Sequence, residues 1–349
     1  MSRLRKSVAI DLGTASVLVY VEDKGICLEE PSVIAKDTLT GKILSVGKDA
    51  KKILGRTPGN VIALKPLKDG VIADFNATEE MLKYFLKKSL NKSLFKPDLL
   101  ICVPSKATQI EKRAVLQAAE NAGAHRVYLI DEPLAAAIGA DIDITDEKGN
   151  MVIDIGGGTS DIAVVSMGQI VTSDSIEISG DTFDNDIKDH IRNRYRMLIG
   201  ESSAEMIKIK AQEADYTDSI EVVGRLIEDG LPSRIYLPVG EIYSCLLPSI
   251  DKIINGVKNV LEQTPPELAA DLYERGIFLT GGGALTLGLA KRINERLQID
   301  VKIAQDPREC VIKGTANALT WIDNIDEEKN ESMKAKQKQL EKKEKMRRR

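Results

Sequence analysis

The sequence has few of the residues on which several enzyme classes depend. It contains two histidines, four cysteines, one tryptophan and 4% aromatic residues among 349 residues. Two histidines leave little material for a zinc site or for a histidine-based nucleophilic triad. The cysteines lie far apart without a CxxC spacing, which predicts buried, reduced thiols in a cytoplasmic protein. The longest uncharged stretch, residues 276–290, is shorter than the about 20 apolar residues of a membrane span.

Charge is distributed unevenly along the chain. The formal net charge is −4, but residues 333–349 carry nine Lys or Arg and two Glu, which leaves −11 for residues 1–332. The acidic body argues against a nucleic-acid-binding face. The basic end lacks large apolar residues, so we expect residues 326–349 to be a disordered or transiently helical tail. Such a tail either serves solubility or is attracted to an anionic membrane surface. Nucleic acid or an acidic protein partner could be attracted by the same charges.

Two segments share a strand–turn–strand pattern, and together they predict a duplicated structure. Apolar, β-branched runs flank a small-residue turn in residues 8–20 and again in residues 151–165. A weak repeat of such long period points to two similar lobes. Strands and helices alternate along the chain, which indicates an α/β fold. Helices are predicted at residues 109–123, 134–140, 183–199, 203–214, 239–263 and 284–297.

Three small-residue turns follow apolar strands and favour a nucleotide cleft. Glycine allows backbone N–H groups to approach an anion closely, and successive N–H groups form a concave anion site. One turn from each lobe could clamp a polyphosphate, and the third, before a helix, could bind near the sugar or α-phosphate. A single glycine turn could serve packing alone, so the argument depends on all three. They are Gly13-Thr14-Ala15-Ser16, Gly156-Gly157-Gly158-Thr159 and Gly281-Gly282-Gly283.

Asp11 and Asp154 end the apolar strands before the first two turns. An unpaired carboxylate is costly at such a position. Each aspartate could cap the amides of its own turn. The alternative, which we favour, is that the two face each other across the cleft and hold a hydrated Mg²⁺.

Six motifs, taken in this order, resemble the MreB family of bacterial actins over about residues 5–325. They are Asp11-Leu-Gly-Thr-Ala, Leu94-Phe-Lys-Pro, Asp131-Glu-Pro-Leu-Ala-Ala-Ala-Ile-Gly, Asp154-Ile-Gly-Gly-Gly-Thr, Ala204-Glu-Met-Ile-Lys and Gly281-Gly-Gly-Ala-Leu. The resemblance implies an actin-like (ribonuclease H-like) duplicated fold with two lobes around a nucleotide cleft. It places the first lobe at residues 1–140, with a small subdomain at about 32–72. The second lobe is then residues 141–325, with a small subdomain at about 181–240.

The resemblance also implies which residues bind and hydrolyse ATP. Glu132 matches the water-activating carboxylate of the family, although by itself it could be a dipole partner for the following helix. Thr159 matches a threonine near the same water. Glu205 and Lys208 match residues that hold the nucleoside, although their i, i+3 spacing would also suit a surface ion pair. ATP contacts are expected at Thr14, Ala15, Ser16, Gly156, Gly157, Gly158, Glu205, Met206, Ile207, Lys208, Gly282, Gly283, Ala284 and Leu285.

Leu94 and Phe95 form an apolar pair between two lysines. By composition alone they are equally suited to a strand edge packed into the core. The resemblance places them instead in a membrane-inserting loop, with lysines near anionic lipid headgroups. We expect the membrane contact to involve this loop and the basic tail.

The resemblance implies a slow ATPase that polymerises head to tail, with ATP and Mg²⁺ as cofactors and paired protofilaments as the product. We expect such filaments in the cytoplasm, peripheral on the inner membrane face, where they contribute to cell shape or motility. No nucleic-acid partner is expected. The alternatives are a nucleotide-binding scaffold with negligible hydrolysis and a small-molecule kinase of the same fold.

Overall fold

Two five-stranded sheets of equivalent topology organise the structure. The computed structural model describes residues 5–56, 59–91 and 95–320. In each sheet a central strand pairs antiparallel with the strand after it and parallel with a later strand. Aligning the two central strands superimposes Asp11 and Asp154 near their ends. The duplication predicted from the sequence is therefore confirmed.

The first lobe contains the sheet β10-β9-β1-β2-β3 and a three-stranded sheet β5-β4-β6. Its elements are β1 (Ser7–Leu12), β2 (Ser16–Val21), β3 (Gly25–Pro31), β4 (Ile34–Asp37), β5 (Ile43–Val46), α1 (Lys48–Ile53), β6 (Val61–Leu64), β7 (Leu67–Lys68), β8 (Val71–Ile72), α2 (Phe75–Leu90), β9 (Asp98–Val103), α3 (Gln109–Asn121), β10 (Arg126–Asp131) and α4 (Glu132–Gly139). The small sheet and α1 lie within the segment predicted as the small subdomain.

The second lobe contains the sheet β13-β12-β11-β17-β18 and a three-stranded sheet β14-β15-β16. Its elements are β11 (Asn150–Ile155), β12 (Ser160–Ser166), β13 (Gln169–Ile176), α5 (Gly180–Tyr195), β14 (Met197–Leu198), α6 (Glu201–Glu213), β15 (Ser219–Leu226), β16 (Pro232–Pro238), α7 (Val239–Gln263), α8 (Pro266–Arg275), β17 (Ile277–Thr280), α9 (Leu289–Leu297), β18 (Val301–Ile303) and α10 (Cys310–Asn317). Short 3₁₀ turns occupy Gly282–Leu285 and Pro307–Glu309.

Helices α4 and α10 join the lobes at the base of the cleft. They pack through small residues, and a Cβ atom added to Gly139 would meet the backbone carbonyl of Cys310. A Cβ on Gly314 would likewise meet the carbonyl of Ala135. Around them lies an apolar cluster that draws residues from both lobes, including Val152. This close backbone approach makes the base the natural pivot between the lobes.

Most of the predicted helices are confirmed, but their ends follow local backbone chemistry. Helix α7 has the predicted bounds, residues 239–263. Helix α5 begins earlier than predicted, after Ser179, whose N–H donates to Thr182 Oγ1. It ends before Arg196, which takes the left-handed conformation with φ 51°. The predicted helix at 284–297 is wrong in its first part, because extended Thr286 and left-handed Gly288 separate the 3₁₀ turn from α9.

The four cysteines are free thiols, but not all are buried. Cys102 and Cys310 are buried, whereas Cys27 is exposed, which corrects the prediction. Cys27 lies on β3, the edge strand of its sheet, where alternate side chains point outward. Within residues 5–56, 59–91 and 95–320, no helix combines the length and apolar character needed to span a membrane.

Candidate nucleotide site

A cavity of about 200 Å³ lies between the lobes, and all three predicted turns border it. The first two turns follow β1 and β11, the central strands of the two sheets, so the duplication brings them face to face. The predicted site residues on its lining are Asp11, Thr14, Ala15, Ser16, Glu132, Asp154, Gly156, Gly157, Gly158, Thr159, Glu205, Lys208, Gly282, Gly283 and Leu285.

The first two turns touch across the cleft. A Cβ added to Gly157 would lie 2.5 Å from the Cβ of Ala15, and one added to Gly158 would meet Thr14 Oγ1. Thr14 Oγ1 itself accepts a hydrogen bond from Gly70 N at 3.0 Å. Glycine is therefore required at 157 and 158 because the opposite turn occupies the space of a side chain.

The third turn differs from its prediction. Gly281, with φ +76°, donates its N–H to Pro307 O at 2.8 Å and leads into a 3₁₀ turn of four residues. A Cβ on Gly283 would meet the side chain of Ile155, so this turn is packed against β11. Ala284 is 1% exposed and faces the core of the second lobe, so the structure does not bring it to the cavity. The turn was expected to lead directly into a helix, but α9 begins only at Leu289, so no α-helix N-terminus lies at this turn.

Buried carboxyl groups give the cavity its electrostatic character. Burial raises the pKa of Asp11 to about 6, although the Cys102 thiol, which donates to Asp11 Oδ1 at 3.4 Å, opposes the shift. Burial also raises the pKa of Asp154 to about 7, against the hydrogen bond that Thr280 Oγ1 donates at 2.7 Å. The charge of Asp11 adds to the shift at Asp154. Burial is therefore the main cause of both pKa shifts, and it favours the neutral forms of these two carboxyl groups.

Glu132 lies where β10 passes into α4, just before Pro133. Burial raises its pKa well above the usual range, and the charges of Asp161 and Asp11 raise it further. Asp161 is 1% exposed and accepts hydrogen bonds at Oδ1 from Ser105 N and Oγ, at 3.1 and 3.2 Å. Asp161 was not singled out from the sequence, although it lies only two residues after Thr159.

The helix expected to hold the nucleoside, α6, presents one face to the cavity. Glu205 and Lys208 line it, but Met206 is 44% exposed and Ile207 is fully buried in the second core, so neither borders the cavity. Lys208 Nζ pairs with Asp184 at 2.9 Å and donates to the carbonyl of Gly180 at 2.8 Å. Residues three or four positions apart share one face of a helix, which explains why Glu205 and Lys208 line the cavity while Met206 and Ile207 do not.

Several lining residues were not predicted. Ile209 and Gln212 continue the α6 face of Glu205 and Lys208, so helical spacing could have found them. The others reach the cavity through tertiary folding and carry no local signal. They are Leu18, Gly70, Gly180, Arg308 and Val311.

The donor set suits a magnesium ion. Two carboxylates, Asp11 and Asp154, flank the phosphate turns, and Mg²⁺ prefers few carboxylates together with phosphate oxygens and water. Burial disfavours the ionised form of both carboxyl groups, and a bound divalent cation would favour that form. Among the residues that the structure describes, no group of three or more His, Cys, Asp or Glu is placed to hold a metal by itself.

The predicted membrane residues are only partly described. Leu94 lies outside the described residues, and so does the basic tail. Phe95 lies between α2 and β9 with 44% of its surface exposed. It is therefore not a core residue of the β9 edge.

The two lobes have the same sheet topology, and each contributes one glycine-containing turn to the cavity between them. This arrangement is that of an actin-like protein. The family described as MreB/Mbl protein matches residues 5–327. The chain belongs to the MreB/Mbl family.

Several known proteins are similar to the chain over nearly its whole length. The cell shape-determining protein Mbl of Bacillus subtilis is 49% identical and is aligned over 93% of this chain and 98% of its own. The crystal structure of MreB 5 of Spiroplasma citri bound to AMPPNP has a TM-score of 0.89 at 38% identity, over 93% of this chain and 99% of its own. A MamK double helical filament, at 22% identity and TM-score 0.76, covers 90% and 98% and shares the fold.

Proposed function

We propose that this protein is a cytoskeletal ATPase that binds Mg-ATP between its lobes, hydrolyses it slowly and polymerises head to tail to support cell shape or motility. The observation that carries the proposal is the contact between the Gly157 turn and the Ala15 turn across a cavity rich in carboxylates. The names of the relatives support it, because Mbl is a cell shape-determining protein and MreB 5 was crystallised with AMPPNP.

The two turns would hold the phosphates through backbone N–H groups from both lobes. Asp11 and Asp154 would hold the magnesium ion, which supplies neutralisation of the phosphate charge. Glu205 and Lys208 would face the nucleoside from α6. Because each lobe contributes one turn, bound ATP favours the closed arrangement of the lobes.

Glu132 would orient the water that attacks the terminal phosphorus and accept its proton, with Thr159 beside it. To accept a proton it must be ionised, whereas burial and the neighbouring charges of Asp161 and Asp11 favour its protonated form. Turnover would then depend on the ionised fraction of Glu132 when Mg-ATP is bound. The same observation favours a second candidate, a nucleotide-binding scaffold with negligible turnover.

Head-to-tail contacts between identical subunits are heterologous, so they propagate into a filament. Closure of the lobes on ATP would fix the surfaces that stack, and hydrolysis would weaken them. The MamK neighbour is a double helical filament, which supports the expectation of paired protofilaments in this fold. We further propose a cytoplasmic location on the inner membrane face, through Leu94, Phe95 and the basic tail.

Phosphate release by the wild type and by Glu132→Ala tests the proposed function. We expect slow, protein-dependent release that falls at least tenfold in the variant while ATP binding is kept. Electron microscopy with and without Mg-ATP should show filaments only with nucleotide. Equal turnover in the variant would overturn the role of Glu132. Nucleotide-dependent filaments without measurable turnover in the wild type would favour the scaffold.

A further inference from the structure

A second, smaller cavity of about 90 Å³ lies between the lobes beside the nucleotide cavity. Ala15 and Glu205 line both cavities, so the two are adjacent. The other side chains around the smaller cavity are mainly charged and come from the small subdomain of each lobe. They include Lys51 and Lys65 from the first lobe and Asp181, Asp184 and Glu201 from the second.

Two ion pairs cross between the lobes at this cavity. Lys51 on α1 reaches Glu205 on α6, with Nζ 2.7 Å from Oε2 and 3.0 Å from Oε1. Lys65, just after β6, reaches Asp181 in the first turn of α5, with Nζ 2.9 Å from Oδ2. Both pairs are about one-third exposed, and neither shares a residue with the other. Each lysine belongs to one lobe and each carboxylate to the other, so the pairs exist only when the lobes are closed.

Because the two ion pairs lie far from the base of the cleft, opening of the lobes must break them. The lobes are packed backbone to backbone at the base, where α4 meets α10. Rotation about that base moves the small subdomains furthest apart, so opening breaks the two pairs. The same opening would separate the turns of Gly13 and Gly156, between which we propose that the nucleotide is held.

We infer that Lys51–Glu205 and Lys65–Asp181 form an ionic latch at the mouth of the cleft, which slows the release of bound nucleotide. Glu205 links the latch to the proposed ligand site, because the same residue also lines the larger cavity. Ion pairs that are one-third exposed are individually weak, and each corresponds to about a two- to fivefold change in an equilibrium or rate. The inference rests on the proposed nucleotide binding.

The test measures dissociation of a fluorescent ATP analogue from the full chain with Mg²⁺, chased with excess ATP below the polymerising concentration. Lys51→Met and Lys65→Met keep the aliphatic stem and remove the charge. We expect each to accelerate dissociation about two- to fivefold and the double variant about tenfold. Lys52→Met is the matched control, because Lys52 lies on the same helix α1 but pairs with Asp49 of that helix at 2.7 Å. The control should dissociate at the wild-type rate.

Two further measurements separate a latch from a general structural role. Raising the salt concentration should accelerate dissociation from the wild type much more than from the double variant, because only the wild type retains the pairs. Exchanging the charges in Lys65→Asp with Asp181→Lys should restore part of the slow release that Lys65→Asp alone loses. The exchange avoids Glu205, which is expected to contact the nucleotide.

The outcomes distinguish this inference from the proposed function. No saturable binding of the analogue to the wild type would overturn the proposed function, and the latch with it. Saturable binding with a double-variant dissociation rate within 1.5-fold of the wild-type rate, on the order of experimental scatter, would overturn the latch alone. An equal acceleration in Lys52→Met would also overturn it, because the effect would then follow from lost positive charge rather than from the bridge.

Discussion

At the scale of single residues, the buried carboxyl groups around the nucleotide cavity link pH to stability. A carboxyl group whose pKa is raised by folding binds more protons in the folded state than in the unfolded state. Its contribution is therefore favourable at low pH and is lost as pH rises from about 4 towards the folded pKa. For Asp11 that value is about 6 and for Asp154 about 7. Exposed groups with lowered pKa, such as Asp49, titrate below this window.

Asp154→Asn removes the carboxyl group whose pKa is raised more than that of Asp11, and it keeps an oxygen that can accept the hydrogen bond from Thr280. We expect the variant without ligand to be more stable than the wild type at pH 7.5, by on the order of 2 kcal/mol, with the difference shrinking at pH 5. Urea unfolding in EDTA at both values measures it. Asp49→Asn is the control and should show no gain at pH 7.5. A gain of equal size at pH 5 and pH 7.5 would contradict the assignment to this titration.

Gly157 is one of two glycines at which the turns of the two lobes touch across the cavity. In Gly157→Ala the new methyl would lie 2.5 Å from Ala15 Cβ, so the turns must separate. We expect nucleotide affinity to fall at least tenfold, since the phosphate clamp depends on both turns. Gly156→Ala is the comparison, because its methyl meets only Thr159 O at 3.4 Å. Calorimetric titration with AMPPNP measures both, and equal losses would argue against the inter-lobe contact as the cause.

The sequence predicted residues with a local signature and missed those without one. Strand, turn and glycine spacing revealed Gly13, Gly156 and Gly282. No sequence motif near Gly70 indicates a site. Gly70 lies in the turn between β7 and β8, and only the tertiary fold brings it to Thr14. Asp161 could have been predicted, since an antiparallel pairing of the strands on either side of the second turn places it directly opposite Asp154.

At the scale of elements, helices defined by their own sequence pattern were predicted, whereas α10, whose position depends on tertiary packing, was not. Helix α7 was predicted with its observed bounds because its apolar face repeats over 25 residues. The helix at 284–297 failed because an apolar pattern continues across Gly288, whose left-handed backbone interrupts the helix. Helix α10 was missed, since its eight residues owe their position to packing on α4. Short elements depend on their neighbours more than on their own pattern.

The close contact between α4 and α10 predicts that a side chain larger than that of glycine is not tolerated at Gly314. In Gly314→Ala the methyl would meet the carbonyl of Ala135, a backbone atom that cannot move aside cheaply. We expect a loss of about 3 kcal/mol in the free energy of unfolding. Gly59→Ala, which meets nothing within 4 Å, should stay within about 0.5 kcal/mol of the wild type. Thermal and urea unfolding measure both, and unchanged stability in Gly314→Ala would show that the helices can move apart.

At the scale of the whole molecule, the duplicated fold followed from the sequence because the repeat is visible in it. Asp11 and Asp154 fall at equivalent places in sheets of equal topology. The relative placement of the lobes did not follow. It depends on long-range contacts such as Lys51–Glu205, whose members are separated by 154 positions and have no common motif.

The membrane association that we propose is a property of the whole molecule, because it would combine an apolar pair in the first lobe with the basic tail that follows the second. An apolar pair beside lysines and a tail with a net charge of +7 both favour an anionic bilayer, by insertion and by attraction. We expect Leu94→Ser with Phe95→Ser to abolish most co-sedimentation with vesicles that contain anionic lipid, and a chain ending at Asn330 to reduce it several-fold. Tail binding should weaken with salt, whereas insertion of the apolar pair should not. Neutral vesicles serve as the control. Undiminished binding by both variants, with folding and nucleotide binding intact, would exclude these regions as the membrane contact and move the search to the faces of the lobes themselves.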